Sequence, residues 1–149
     1  MIGIVILNYL NWKDAVECVE SIFKQKYSSY QIVIVDNCST NNSSKKLHEL
    51  YDNSSTIDVI DAQKNLGFAK GNNLGIHHLR TNYKVKRILL LNSDTIMSDV
   101  NYLKILSELE IDSNCGAIGT RIIGSDGLNQ NPEYFSLTKD FSITVINEL

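Results

Sequence analysis

Residues 2–7, 31–35 and 87–91 are short apolar runs, and the first two are rich in β-branched side chains. Runs of this length without polar alternation suit strands buried on both faces of a sheet. Between them, apolar positions recur at helical spacing. From Lys13 to about Gln25 these positions are Ala15, Val16, Val19, Ile22 and Phe23. Strands alternating with helices imply right-handed βαβ crossovers. The expected fold is therefore α/β, a mostly parallel Rossmann-like sheet with helices on both faces. Ligands of such sheets bind outside the carboxyl ends of the strands.

The remaining elements follow from the same periodicities. A helix is expected over 44–52, facing Leu47, Leu50 and Tyr51 inward, and a weaker strand over 56–60. The segment from Asn65 to Gly75 leads into a helix that reaches about Arg80. Ser98 or Asp99 caps a helix running to about Glu110, with Val100, Leu103, Leu106 and Leu109 as its apolar stripe. A fifth strand is expected over 116–123, then a turn at Gly124-Ser125-Asp126-Gly127. The stretch 141–149 is apolar to its end, and either packs as a final element or marks a domain cut short.

At 149 residues the chain suits one domain. A net charge of −3 argues against a nucleic-acid partner, because phosphate contacts need a basic surface. Cys18, Cys38 and Cys115 lack Cys-x-x-Cys spacing and read as reduced thiols of a cytoplasmic protein. No window approaches the length of a membrane-spanning helix.

The polar residues gather where the apolar runs end. Asn8 and Tyr9 follow the first strand, Asp36 the second, and Asn92, Ser93 and Asp94 the fourth. Asp36 and Asp94 each also suit a turn cap. Together, two carboxylates and flanking amides on one sheet edge point to a ligand site. A cation on a pyrophosphate needs only one or two carboxylates, since phosphate and water supply the other oxygens. Asp94 fits that role, with Asn92 as a neutral oxygen beside it. Glycines at 67, 71 and 75 are spaced for one helix face, which suits close packing or a close ligand. Asn65, Asn72 and Asn73 are short amides at that helix start, able to donate to sugar hydroxyls or phosphate oxygens.

Several other chemistries lack their motifs. There is no Gly-x-Ser-x-Gly elbow, no P-loop ending and no dinucleotide fingerprint after the first strand. His77 and His78 are adjacent, His48 is remote, and none has zinc spacing. A nucleotidyltransferase would carry a glycine-rich, basic loop after the first strand, where this chain has Asn8-Tyr9-Leu10-Asn11-Trp12.

Four segments resemble, in order, the motifs of family 2 glycosyltransferases with the GT-A fold. They are Ile4-Val5-Ile6-Leu7-Asn8-Tyr9, Val33-Ile34-Val35-Asp36-Asn37-Cys38-Ser39-Thr40, Asn65-Leu66-Gly67-Phe68-Ala69 with Gly71-Asn72-Asn73, and Leu90-Leu91-Asn92-Ser93-Asp94. The likeness is to the bacterial rhamnosyltransferase-like branch, which builds surface polysaccharides, and it covers residues 2–123. It implies that Asn8 and Asp36 contact the base and ribose of a nucleotide-sugar donor, a dTDP- or UDP-sugar. It sets Asn65–Asn73 beside the sugar diphosphate, and makes Asp94 the residue that binds Mg²⁺ or Mn²⁺. Asn92 stands where the family's metal motif has its first aspartate.

The resemblance also implies an inverting transfer to a glycan or lipid-linked acceptor, in the cytoplasm or at the inner face of the membrane. Residues 124–149 correspond to an incomplete acceptor-side extension. Glu133 and Asp140 do not match the surroundings of the family's general base, so neither is assigned that role. The rival expectation is a non-catalytic nucleotide-sugar binder, or a subunit completed by a partner chain.

Overall fold

The computed structural model describes residues 1–110, 116–124 and 126–130. The chain divides into two compact units, Met1–Leu109 and Glu110–Leu149. The first holds four strands and four helices in strict alternation: β1 (Ile2–Asn8), α1 (Trp12–Phe23), β2 (Tyr30–Asp36), α2 (Ser43–Tyr51), β3 (Ile57–Asp61), α3 (Gly67–Asn82), β4 (Arg87–Asn92) and α4 (Tyr102–Glu108). The strands form one parallel sheet in the order β3-β2-β1-β4. This is the mostly parallel α/β sheet that the apolar runs imply.

Burial follows the strand order. β1 and β2 are central, and Ile4, Val5, Ile6, Ile32, Val33, Ile34 and Val35 are all fully buried. Alternate residues face opposite sides of a sheet. On one side Val5, Val33 and Val35 pack with Leu79 of α3, joined by Leu7, Ile60, Ile88 and Leu90. On the other, Ile4, Ile6, Ile32 and Ile34 lie beneath α1 and α2, which pack on β1 and β3 and on each other. The edge strand β3 is mostly half-buried, which is why its sequence reads as weaker.

The helical glycines divide by role. A Cβ on Gly71 would stand 2.6 Å from Leu7 Cδ1, and one on Gly75 would stand 2.5 Å from Val5 Cγ1. These two let α3 lie close on the sheet. Gly67 has open space around its Cα but a φ of +72°, so backbone conformation decides that position. Gly75→Ala should therefore destabilise the fold, because the stiff Val5 and Val35 side chains cannot retreat. Overpacking of this kind costs about 1–3 kcal/mol, and the better helix propensity of alanine offsets at most about 1 kcal/mol. A lower urea midpoint checks it.

Two expectations are corrected. The fifth strand over 116–123 is not formed. Ile118 and Ile123 are exposed there, and the pairing seen in the described part of this stretch is an isolated bridge from Ile123 to Asn129. Gly116 and Gly119 leave this stretch little side chain with which to hold a buried strand. The turn at 124–127 is present, with Gly127 N–H on the Gly124 carbonyl at 2.9 Å. The last helix starts later than expected, at Tyr102. The Asp99 carboxylate instead accepts the Asn101 N–H at 2.8 Å, capping a turn ahead of the helix. Cys115, Glu133, Asp140 and the stretch 141–149 lie outside the described residues.

Candidate functional site

The register aligns the polar strand ends in a row. Asn8 pairs with Asp36, Asp36 pairs with Asp61, and Leu7 pairs with Asn92. Parallel pairing makes this one edge, the carboxyl edge of the sheet. Asp61 was not singled out by sequence, because its strand has the weakest apolar signal. Its carboxylate accepts from His48 Nε2 at 3.0 Å.

Asp36 is the hub of the row. It is 1% exposed and takes three hydrogen bonds. Asn8 Nδ2 donates to Oδ1 at 2.7 Å, Ser39 Oγ to Oδ1 at 2.7 Å, and the Ser39 N–H to Oδ2 at 2.8 Å. The turn-capping use of Asp36 is thus present in the chain itself. Asn8 is fully buried, and its Oδ1 has no hydrogen-bond partner among the described residues. The loops after β1 and β2 are clasped as well. Leu10 N–H donates to Ser39 Oγ at 2.8 Å, and Asn41 Nδ2 to the Leu10 carbonyl at 2.7 Å. Leu10 (φ +64°) and Cys38 (φ +61°) both sit in the left-handed region. Side chains of this type hold such conformations only where the surroundings over-determine them. Tyr9 stands exposed between these loops.

Asn37 carries the site across to α3. Its Oδ1 accepts the Leu66 N–H at 2.9 Å, and its Nδ2 donates to Asn65 Oδ1 at 3.1 Å. Asn65 Oδ1 also accepts the Gly67 N–H at 2.8 Å, an Asx turn that leads into the helix. Asn37 and Ser39 were missed as individual site residues. A buried amide that bonds the Leu66 backbone and the Asn65 side chain leaves no spacing signal, and serine in a polar loop is commonplace. Asn72 and Asn73 lie within the helix, not at its start. Asn72 is 3% exposed and returns its Nδ2 to the Phe68 carbonyl at 3.0 Å, while Asn73 is exposed.

β4 delivers the last members. Asn92 and Ser93 are half-buried and Asp94 is exposed. The Asn92 carbonyl accepts the Thr95 N–H at 3.1 Å and the Cys18 thiol at 3.7 Å. Burial, and secondarily the charge of Asp94, push the Cys18 thiol up to about 12. It therefore stays protonated and able to donate.

No group of three His, Cys, Asp or Glu side chains gathers as a metal cage among the described residues. The Asp94 carboxylate has no hydrogen bond or ion pair among them either. An uncommitted, exposed carboxylate at a sheet edge suits a cation shared with a diphosphate, which needs few protein oxygens. The donor set fits Mg²⁺ or Mn²⁺ on those terms. His48 and His78 are engaged with carboxylates other than Asp94. His48 bonds Asp52 and Asp61, and His78 Nε2 lies 2.6 Å from Asp58 Oδ2.

Comparison with known proteins agrees with this geometry. The family description "Glycosyl transferase family 2" matches residues 3–145. Glycosyltransferase GlyG of Streptococcus pneumoniae is 26% identical over 143 residues, covering 96% of this chain and 46% of the relative. The chain thus spans about half the length of that curated relative. Mannosyltransferase PcManGT of Pyrobaculum calidifontis, solved with GDP-Man and Mn²⁺, superimposes with a TM-score of 0.70 at 15% identity, over 83% of this chain and 35% of that one. TarS 1–349 of S. aureus, solved with UDP-GlcNAc, gives a TM-score of 0.60 at 23% identity, over 71% and 30%. These structural likenesses show the GT-A-like fold. With its sheet, its polar carboxyl edge and a match over most of its length, the chain belongs to glycosyl transferase family 2.

Proposed function

We propose that this chain carries the donor-binding half of an inverting, metal-dependent glycosyltransferase. The observation that carries the reading is the row Asp36, Asn8 and Asn92–Asp94 across adjacent strands at one sheet edge. Tyr9 borders the base and ribose from an exposed position, and Asn8 and Asp36 reach them only by giving up hydrogen bonds to each other or to Ser39. Asn65, Gly67, Asn72 and Asn73 lie along the sugar diphosphate, with Asn92 and Ser93 opposite. Asn72 reaches that ligand only by giving up its bond to Phe68. Asp94, with the side-chain oxygen of Asn92, holds Mg²⁺ or Mn²⁺. When bound, that cation offsets charge on the departing nucleoside diphosphate.

The solved relatives named with UDP-GlcNAc or with GDP-Man and Mn²⁺ support a nucleotide-sugar donor and a divalent cation. The resemblance of the four sequence motifs to the rhamnosyltransferase-like branch is what favours a dTDP- or UDP-sugar and a glycan or lipid-linked acceptor of a surface polysaccharide in this reading. No helix of the described residues is long and apolar enough to cross a membrane. The reading sets the chain in the cytoplasm, where such donors are found, and beside the inner membrane face for a lipid-linked acceptor. No residue is assigned as general base.

A binding screen tests the reading. UDP, dTDP and GDP are titrated into the chain by calorimetry, each with and without Mn²⁺. One nucleotide class is expected to bind, and more tightly with the cation. No heat from any nucleotide under either condition would sink the proposal.

A further inference from the structure

α1 turns a stripe of polar side chains toward the segment that carries Asp94. Cys18 and Ser21 are three residues apart on one face of α1, and Gln25 follows in the turn just after the helix. Cys18 Sγ donates to the Asn92 carbonyl at 3.7 Å. Ser21 is buried, and its Oγ accepts the Met97 N–H at 3.0 Å while donating to the Cys18 carbonyl at 2.7 Å. Gln25 uses both ends of its amide. Nε2 donates to the Asp99 carbonyl at 2.8 Å, and Oε1 accepts the Leu103 N–H at 3.0 Å. The Lys26 N–H adds a bond to the Val100 carbonyl at 2.8 Å.

The segment between β4 and α4 has no helix or strand of its own. Its backbone groups must find partners elsewhere. Met97, Asp99 and Val100 within it, with Asn92 at the end of β4 and Leu103 in α4 on either side, are bonded at these five points by α1 and the turn after it. Asp94 stands between the points at Asn92 and Met97, and none of the five bonds uses its carboxylate.

The geometry points to α1 and the turn that follows it as the positioning element of the cation and diphosphate site, with Ser21 and Gln25 as positioning residues for Asp94. This rests on the role proposed above for Asp94. Both residues act through the backbone of the 92–103 segment and not by touching the ligand. A cation shared between a single carboxylate and a diphosphate depends on that carboxylate being held in place. Groups that orient a metal ligand typically change affinity by about 10–100-fold when removed.

The test uses UDP as probe, titrated with and without Mn²⁺ into the parent chain, Ser21→Ala and Gln25→Met. Metal-free UDP affinity should stay close to the parent's, and the gain that Mn²⁺ confers should fall by roughly tenfold. Ser21→Thr keeps the hydroxyl and should restore the gain. Amide exchange at Met97 should quicken in Ser21→Ala, and at Leu103 in Gln25→Met. A full Mn²⁺-dependent gain in both variants, with exchange quickened, overturns the positioning role and leaves Asp94 in its place. No such gain in the parent chain overturns the reading of Asp94, and this inference with it.

Discussion

Asp94→Ala should abolish the gain in nucleotide affinity that Mn²⁺ confers, and leave metal-free binding as it is. Asp94 is exposed at the end of β4, with no hydrogen bond or ion pair on its carboxylate among the described residues. Its removal breaks nothing in the fold, so stability should stay within about 0.5 kcal/mol of the parent. A large functional effect with a small structural one is the signature of a ligand-facing carboxylate. Asn92 is neutral, so Asp94 is the only carboxylate in the Asn92–Asp94 motif, and the loss should be roughly tenfold or more in apparent affinity with metal present. Tenfold corresponds to about 1.4 kcal/mol. Calorimetric titration of UDP with and without Mn²⁺ measures both arms. Equal gains in the parent and in Asp94→Ala would move the cation to other residues.

Asp36→Ala should behave in the opposite way and unfold the chain before any ligand is considered. Asp36 is 1% exposed and accepts from Asn8 Nδ2, Ser39 Oγ and the Ser39 N–H. Truncation strands all three donors. Asn8 suffers most: it is fully buried and its Oδ1 already has no partner among the described residues, so its amide would keep none of them. Each bond to a carboxylate contributes about 1.5–3 kcal/mol, and a stranded buried donor carries its own desolvation cost. The expected loss is about 3–5 kcal/mol, which is much of the stability of a small domain. Urea unfolding without nucleotide checks it. A midpoint close to the parent's would mean that these bonds contribute little, and that Asp36 serves the ligand alone.

The contrast between these two aspartates shows how far the sequence could be read. Both follow apolar runs, and on paper each fitted a turn cap or a ligand contact equally well. Burial separates them. Asp36 ends a central strand with β1 and β3 on either side, so its carboxylate is enclosed and must be satisfied internally. Asp94 lies beyond an edge strand and stays open to solvent. No residue pattern carries that difference, because it depends on strand order. Ser39 and Asn37 were invisible for a related reason. Their importance lies in bonds to Leu10, Leu66 and Asn65, which only the adjacency of β1, β2 and α3 brings within reach.

Asn72 and the glycines teach the same point at helical scale. The spacing of Gly67, Gly71 and Gly75 was legible, but their roles differ: one accommodates a left-handed backbone and two admit Val5 and Leu7. Asn72 is legible as an amide near a helix start, yet burial turns it back onto the Phe68 carbonyl. Residues 116–123 mark the converse failure. Their apolar content suits a strand, but a strand needs a neighbour and buried faces, and five of these eight residues are exposed.

Local chemistry was enough to establish the alternation of strands and helices, the parallel sheet and the polar ends of β1, β2 and β4. Apolar run length and helical period report how many faces an element buries, and that is a property of the segment itself. Strand order, the enclosure of Asp36 and Asn8, and the bonding of the Asp94 segment to α1 needed the assembled fold. Those features join residues 28 and 76 positions apart, as in Asn8 to Asp36 and Ser21 to Met97. Hydrogen bonds over such separations form only after packing has closed the chain, so no pattern along it records them.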